Sequence, residues 1–206
     1  YKVMNFIGID LEGVLVPEIW VALANKTGIE ELKLTTKDIS SYQELMEKRI
    51  SVLNKNHIKA DLLFKIASEI NPYEGAYDFL SELRNNFQVI ILSDTFSNLS
   101  KPIFKKLNTP TVFCHKLLIN QLGMISGIDM CIDQHKMLTL KYMNKLNFNT
   151  IAIGDSYNDI GMLSEAKNGI LFRSTPEIIK KYPEFANYED YESLLKTIKN
   201  IFKKED

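Results

Sequence analysis

The sequence is short of the residues that mark several functional classes. Its 206 residues hold two cysteines, Cys114 and Cys131, one tryptophan and three arginines. Neither cysteine has metal-ligand spacing, and a chain this long buries an adequate core without cross-links. Both are expected to be buried thiols in a reducing cytoplasm. An excess of one charge is missing too. With 25 basic and 26 acidic residues the formal net charge is −1, so the electrostatic footprint of a nucleic-acid binder is absent. No apolar run approaches the length of a membrane span. The three histidines, His57, His115 and His135, show no spacing that demands zinc. They are expected to be structural or surface residues, with His135 the one nearest a site. A strand begins almost at once, so no signal peptide is expected. No repeat or low-complexity segment stands out.

What is there describes a globular protein: 45% hydrophobic and 25% charged residues, enough for one large domain or one domain with an insertion. "YKVMNFIGID" reads as a buried strand, rich in apolar residues without helical spacing. From Pro17 to about Ile70 the pattern is helical, over 18–27, 41–55 and 59–70. Helices placed after one lone strand suggest a cap of residues 17–75, inserted into a core made of 1–16 and 76–206. Alternation then resumes. A helix at 75–85 leads to the strand "FQVIILSD", a helix at 98–107 to "PTVFCHK", and a hairpin turns at Gly123. A helix at 136–146, the strand "TIAIGD", a helix at 157–167, the strand "GILF" and a last helix near 189–203 follow. Strands alternating with such helices predict an α/β fold with a mostly parallel sheet.

In such a sheet ligands bind beyond the carboxyl ends of the strands, and three strands here end in polar groups. Asp10 and Glu12 follow the first. They read either as an acidic turn or as a nucleophile with a general acid/base two residues on. Ser93 and Asp94 close the second, where a hydroxyl and nearby N–H groups can hold a phosphate oxygen or cap the next helix. Asp155 and Asp159 bracket a helix start in "GDSYND", as caps or as a Mg²⁺ site, since Mg²⁺ prefers hard oxygens. Lys136 opens a helix, where its charge opposes the dipole; there it is a surface residue or a phosphate ligand.

Taken in order, "DLEGV", "LSDTF", Lys136 and "GDSYND" resemble the four motifs of the haloacid dehalogenase-like phosphohydrolases, and the resemblance runs through residues 3–173. It implies a Rossmann-like core, Mg²⁺ and an aspartyl-phosphate intermediate on Asp10. It also implies a metal held by Asp10, the Glu12 main-chain oxygen and Asp155, with Asp159 steadying the metal or Lys136. Phosphatases of this kind usually carry Asp two residues after the nucleophile, where this chain has Glu12. The longer stretches "DLEGVLVPEIW", "FCHKL", "MLSEA" and "GILF" are similar to the branch of phosphoserine phosphatases that also transfers the phosphoryl group to homoserine.

Within the helical segment, Tyr42, Leu45, Met46 and Leu53 form one stripe, and Arg49 falls on it instead of the wet face. A planar guanidinium suits a carboxylate held by two bonds. Glu18 follows Pro17 at a helix start, a position the dipole favours. The resemblance pairs Arg49 with the carboxylate and Glu18 with the ammonium of phosphoserine, and adds Asn158 as a substrate contact. Trp20 reads as packing. The expectation is a cytoplasmic monomer or homodimer acting on small molecules, phosphoserine and homoserine, without nucleic-acid or membrane partners. Two rivals are a phosphatase for another small ester and a receiver-like phospho-signalling domain.

Overall fold

The computed structural model describes residues 3–204 apart from 37 and 40. The first two positions of the expected opening strand and the last two of the charged tail lie outside the described residues. The first strand, β1 (Asn5–Ile9), is followed by α1 (Ile19–Thr27), a short 3-10 turn (Glu30–Lys33), α2 (Tyr42–Lys55) and α3 (Ala60–Glu69). Next come α4 (Ala76–Asn86), β2 (Gln88–Phe96), α5 (Ser97–Lys106), β3 (Val112–Ile119) and β4 (Ile125–Asp129). The chain continues through α6 (His135–Lys145), β5 (Asn149–Gly154), a 3-10 turn (Tyr157–Asp159), α7 (Ile160–Glu165) and β6 (Asn168–Phe172). It closes with α8 (Pro176–Lys181), β7 (Ala186–Tyr188) and α9 (Tyr191–Lys204).

The seven strands form one sheet in the order β4-β3-β2-β1-β5-β6-β7. All neighbours run parallel except β3 and β4, which form the antiparallel hairpin at the edge. β1 sits between β2 and β5, with Ile9 opposite both Ile91 and Ile153. Buried on both faces, β1 has no need of a polar side, which is why it reads as a continuous apolar run. Its side chains still alternate. Ile7 and Ile9 face one cluster, with Phe79, Leu99 and Leu194 from α4, α5 and α9. Phe6 faces the other, with Leu140 of α6, Met162 of α7 and Ile178 of α8.

The inserted helices do not stand apart from this core. Ile19 and Leu23 of α1, Met46 and Leu53 of α2, and Leu63 and Ile66 of α3 are buried in the same cluster as Ile7 and Ile9. Lys106 of α5 donates from Nζ to the Ser68 and Ile70 carbonyls (2.8 and 2.6 Å). Those carbonyls end α3 and would otherwise lack partners. No helix among the described residues is long and apolar enough to cross a membrane.

Three differences from expectation have physical causes. β2 does not stop at Asp94 but runs to Phe96, its register with β3 shifting between Leu92 and Phe96. Ser93 and Asp94 therefore lie in an irregular stretch of strand, which turns polar side chains toward the site. Residues 173–188, unassigned from periodicity, contain α8 and β7, six and three residues long. Elements that short show no period, although Thr175 accepting from Ile178 N–H and Pro176 behind it mark a helix start. Finally, the cysteines are not both buried: Cys131 is exposed and Cys114 partly so. Cys131 lies beyond the last paired residue of β4, where no layer covers it.

Candidate active site

The strand order reverses at β1. The chain builds β2 and β3 on one side of it, and β5, β6 and β7 on the other. Loops leaving β1 and β5 therefore diverge, and a crevice opens at their carboxyl ends. Asp10 follows β1, anchored by its N–H to the Ile153 carbonyl (2.9 Å). Asp155 follows β5. Lys136 arrives in the first turn of α6, and Asp159 closes the turn after β5. Glu12, Glu18, Ser93, Asp94, Asn158 and Arg49 line the same cavity as Asp10 and Lys136. All ten expected site residues are thus brought to one place or to its floor.

Lys136 organises the floor. Its Nζ lies 3.0 Å from Asp10 Oδ1, 2.8 Å from Asp159 Oδ1 and 3.3 Å from Asp94 Oδ2. Burial opposes the ammonium, but Asp10, Asp159 and Asp94 outweigh it and hold the Lys136 pKa well above its ordinary value. The expectation of a lysine working against the helix dipole is met, and these carboxylates are what offset the cost. Asp159 is itself fixed. Its Oδ2 accepts from the N–H groups of Asp155 (2.9 Å) and Ser156 (3.1 Å), while Ser156 Oγ caps the same turn. Asp159 thus caps the turn, one of the two roles that the spacing left open, and also contacts Lys136.

Asp10, Asp155 and Asp159 are buried, and one carboxylate oxygen of each lies within 4.8 Å of the others. Burial, and then the negative charges of Asp159, Asp155 and Asp94 against the pull of Lys136, push the Asp10 pKa well above the usual carboxylate range. Crowded hard oxygens with too little positive charge form a donor set that fits a small divalent cation. Two glycines permit this crowding. Gly13 has φ +82°, and a Cβ there would stand 2.1 Å from Asp155 Oδ2. A Cβ on Gly154 would stand 2.4 Å from Asp159 Cβ. Gly13→Ala is therefore expected to cost about 2–4 kcal/mol, from left-handed strain and the displaced Asp155. Thermal unfolding checks it, and a melting temperature equal to the wild type would show that the loop yields freely.

Glu12 takes a position that spacing alone did not reveal. Its Oε2 accepts the backbone N–H of Ile19 (3.0 Å), the first residue of α1. The carboxylate thus ties the loop after β1 to the start of the inserted helices while still lining the cavity. Beyond it, Arg49 lies on the buried face of α2 with Leu45, Met46 and Leu53. Its Nη2 donates to the Leu34 carbonyl (2.8 Å), and its buried Nε meets no acceptor among the described residues. Burial lowers the Arg49 pKa, although Glu18 and Glu12 pull the other way. A donor this buried and incompletely used is suited to an anion.

Sequence reasoning placed His135 nearest a site but gave no site role to Tyr42 or His115. Tyr42 OH donates to the Asp94 carbonyl (2.5 Å), joining α2 to β2 beside the cavity. His115 is fully buried, the structural one of the two expected alternatives, and its Nε2 lies 3.2 Å from Asp94 Oδ1. Cys131 N–H points at its Nδ1 (3.4 Å), so Nε2 carries the proton and donates. Asn158 Nδ2 donates to Asp94 Oδ2. Burial raises the Asp94 carboxyl, but Lys136, His115, His135 and Asn158 together hold it well below the usual range. These contacts favour the ionised form of Asp94, whose carboxylate meets Lys136 and Asn158. Burial pushes His135 down to about 4, so it is neutral at pH 7. One signal was available: alternation along β3 puts His115 on the face of Leu117, which is buried.

A family model for haloacid dehalogenase-like hydrolases matches residues 6–167. The chain is 43% identical over 191 residues to "Phosphoserine phosphatase ThrH" of Pseudomonas aeruginosa, covering 93% of each protein. It is 41% identical to a phosphoserine phosphatase of Pseudomonas syringae pv. tomato, covering 91% of this chain and 79% of that one. Among solved structures, a phospho-aspartyl intermediate analogue of phosphoserine phosphatase superposes with a TM-score of 0.75. That match is 25% identical and covers 95% of this chain and 99% of the other.

Proposed function

The chain belongs to the haloacid dehalogenase-like hydrolases, and on that premise we propose that it is a Mg²⁺-dependent phosphoserine phosphatase that also passes the phosphoryl group to homoserine. One observation carries the reading: a single cavity joins a phosphoryl-sized anion site at Asp10, Ser93 and Lys136 to the buried Arg49 and to Glu18. Phosphoserine is a phosphate, a carboxylate and an ammonium on a short frame, and the cavity offers a partner for each. The similarity to the Pseudomonas phosphatases supports the same choice.

In this reading Asp10 attacks phosphorus and the bond to the seryl oxygen breaks, while Glu12 gives that oxygen its proton. Lys136 and Ser93 hold phosphoryl oxygens whose charge shifts during transfer. Asp10, Asp155 and the Glu12 carbonyl would hold the cation, which supplies positive charge against those oxygens. Glu12 then takes a proton from water or from the homoserine hydroxyl as that oxygen bonds to phosphorus and the bond from phosphorus to Asp10 breaks, freeing the Asp10 carboxylate and giving phosphate or phosphohomoserine. Residues 17–75 act as a cap that selects substrate. The cavity measures only about 40 Å³, whereas pockets for drug-sized ligands run from about 300 Å³ upward, so groups lining it move aside as substrate enters and close over it again. Excluding water in this way favours an alcohol acceptor over hydrolysis.

The test is a product assay with phosphoserine and Mg²⁺, with and without homoserine. Phosphate alone would remove the transferase half, and neither product would remove the substrate assignment. Glu12→Asp shortens the side chain that reaches Ile19 N–H, loosening the start of α1. The expected outcome is a product ratio shifted toward phosphate; an unchanged ratio would show that the length of Glu12 has no part in choosing the acceptor.

A further inference from the structure

We propose that Trp20 is a positioning residue for substrate selection, its indole holding the Arg49 guanidinium so that the open edge of the fork faces the cavity. The inference rests on the reading of Arg49 as the partner of the substrate carboxylate. Trp20, the chain's one tryptophan, is the second residue of α1 and only 3% exposed. The Arg49 Cζ lies 4.6 Å from its ring centroid, and Trp20 also lines the cavity.

An arginine side chain has many rotamers, and only a few present two N–H bonds to a carboxylate. Here three contacts restrict it. Nη2 is spent partly on the Leu34 carbonyl, Nη1 rests against Met46 Sδ (3.8 Å), and Cζ sits over the Trp20 ring. What is left over is a second N–H on each Nη and the Nε–H, the last buried and without an acceptor among the described residues. The indole does a second thing: its negative face compensates a cation removed from water, with no hydrogen-bond acceptor to compete for the fork. A carboxylate residue in that place would fill the site the substrate needs. Three consecutive residues at the start of α1 thus serve the cavity differently. Glu18 supplies negative charge, the Ile19 N–H holds Glu12, and Trp20 sets Arg49.

Steady-state kinetics on phosphoserine and on phosphoethanolamine, which keeps the phosphate and ammonium but lacks the carboxylate, separate this from plain packing. Trp20→Leu should raise KM for phosphoserine about tenfold with kcat within about twofold, and leave phosphoethanolamine within about twofold. Trp20→Phe, which keeps a ring, should recover most of the loss. In an Arg49→Met background Trp20→Leu should add nothing further to KM, because the two act through one contact. Equal losses on both substrates, or effects that simply add to Arg49→Met, would overturn the assignment. If Trp20→Leu does not fold, Trp20→Phe decides alone: an increase of about threefold confined to phosphoserine, absent with Arg49→Met, supports it, and no substrate-dependent change overturns it. A wild-type enzyme that fails to prefer phosphoserine over phosphoethanolamine would instead overturn the proposed function, and this inference with it.

Discussion

Asp10→Asn is expected to remove steady-state turnover by at least about 10⁴-fold, because the amide cannot form the covalent intermediate. The same substitution should leave the fold intact, and the physical reason is specific. In the folded protein the Asp10 pKa is raised by burial and by Asp159, Asp155 and Asp94. A raised folded value means that ionising Asp10 costs folding free energy. Its favourable contribution is complete below the unfolded carboxylate pKa and is lost as pH rises toward the folded one. Without a divalent cation, Asp10→Asn should therefore melt no lower than wild type at pH 7 and lose less stability between pH 4 and neutrality. Added Mg²⁺ should raise the wild-type melting temperature, by about 2.7 kcal/mol of stability at one hundred times its Kd, and raise that of the variant less. Measurable steady activity in the variant would sink the nucleophile assignment. A melting temperature well below wild type would show that the Lys136 contact, not carboxylate crowding, dominates at Asp10.

Lys136→Met should have the largest effect on stability. The Nζ that touches Asp10, Asp159 and Asp94 disappears, and buried carboxylates are left facing one another. Breaking a buried ion pair by removing one partner costs about 3–5 kcal/mol, or roughly 10 °C in melting temperature for a chain of this size. On the proposed function activity should fall with it, since Lys136 would no longer hold a phosphoryl oxygen. Calorimetry in a chelating buffer gives the direct answer, and a drop of under about 2 °C would mean that the carboxylates are already neutralised by their own protons. Adding Mg²⁺ should return part of the lost stability but not the turnover.

The order of the elements was legible because burial imposes periods. Both faces of β1 and β5 are covered, so their sequences run apolar. α2 covers one face only, so its stripe could be read and Arg49 placed on it. The placement of the candidate site residues was legible for a related reason: in a parallel sheet the carboxyl ends of central strands converge, and polar residues there have one shared place to go. Asp10, Ser93 and Asp155 needed only that rule. The members of the site that escaped notice reach it across the fold. His115 and Tyr42 meet Asp94 from β3 and α2, and no local spacing encodes that meeting. Trp20 shows the same limit, since packing and positioning leave the same apolar signature until Arg49 is seen lying on the ring.

By itself, then, the chain of residues determined the α/β class, the polar strand ends that gather at one cavity and the inward turn of Arg49. These follow from local periodicity and from hydrogen-bonding rules that act within a few residues. Only the tertiary structure decided how the charges are shared. Lys136 is balanced by three carboxylates from three different elements, Glu12 is tied to the first N–H of α1, and the Asp94 carboxylate is held by Lys136 of α6, His115 of β3 and Asn158 of the turn after β5. Electrostatic energy falls off with distance through space, not along the chain, so residues 126 positions apart in sequence, Asp10 and Lys136, settle one another's protonation only once the sheet has brought them together.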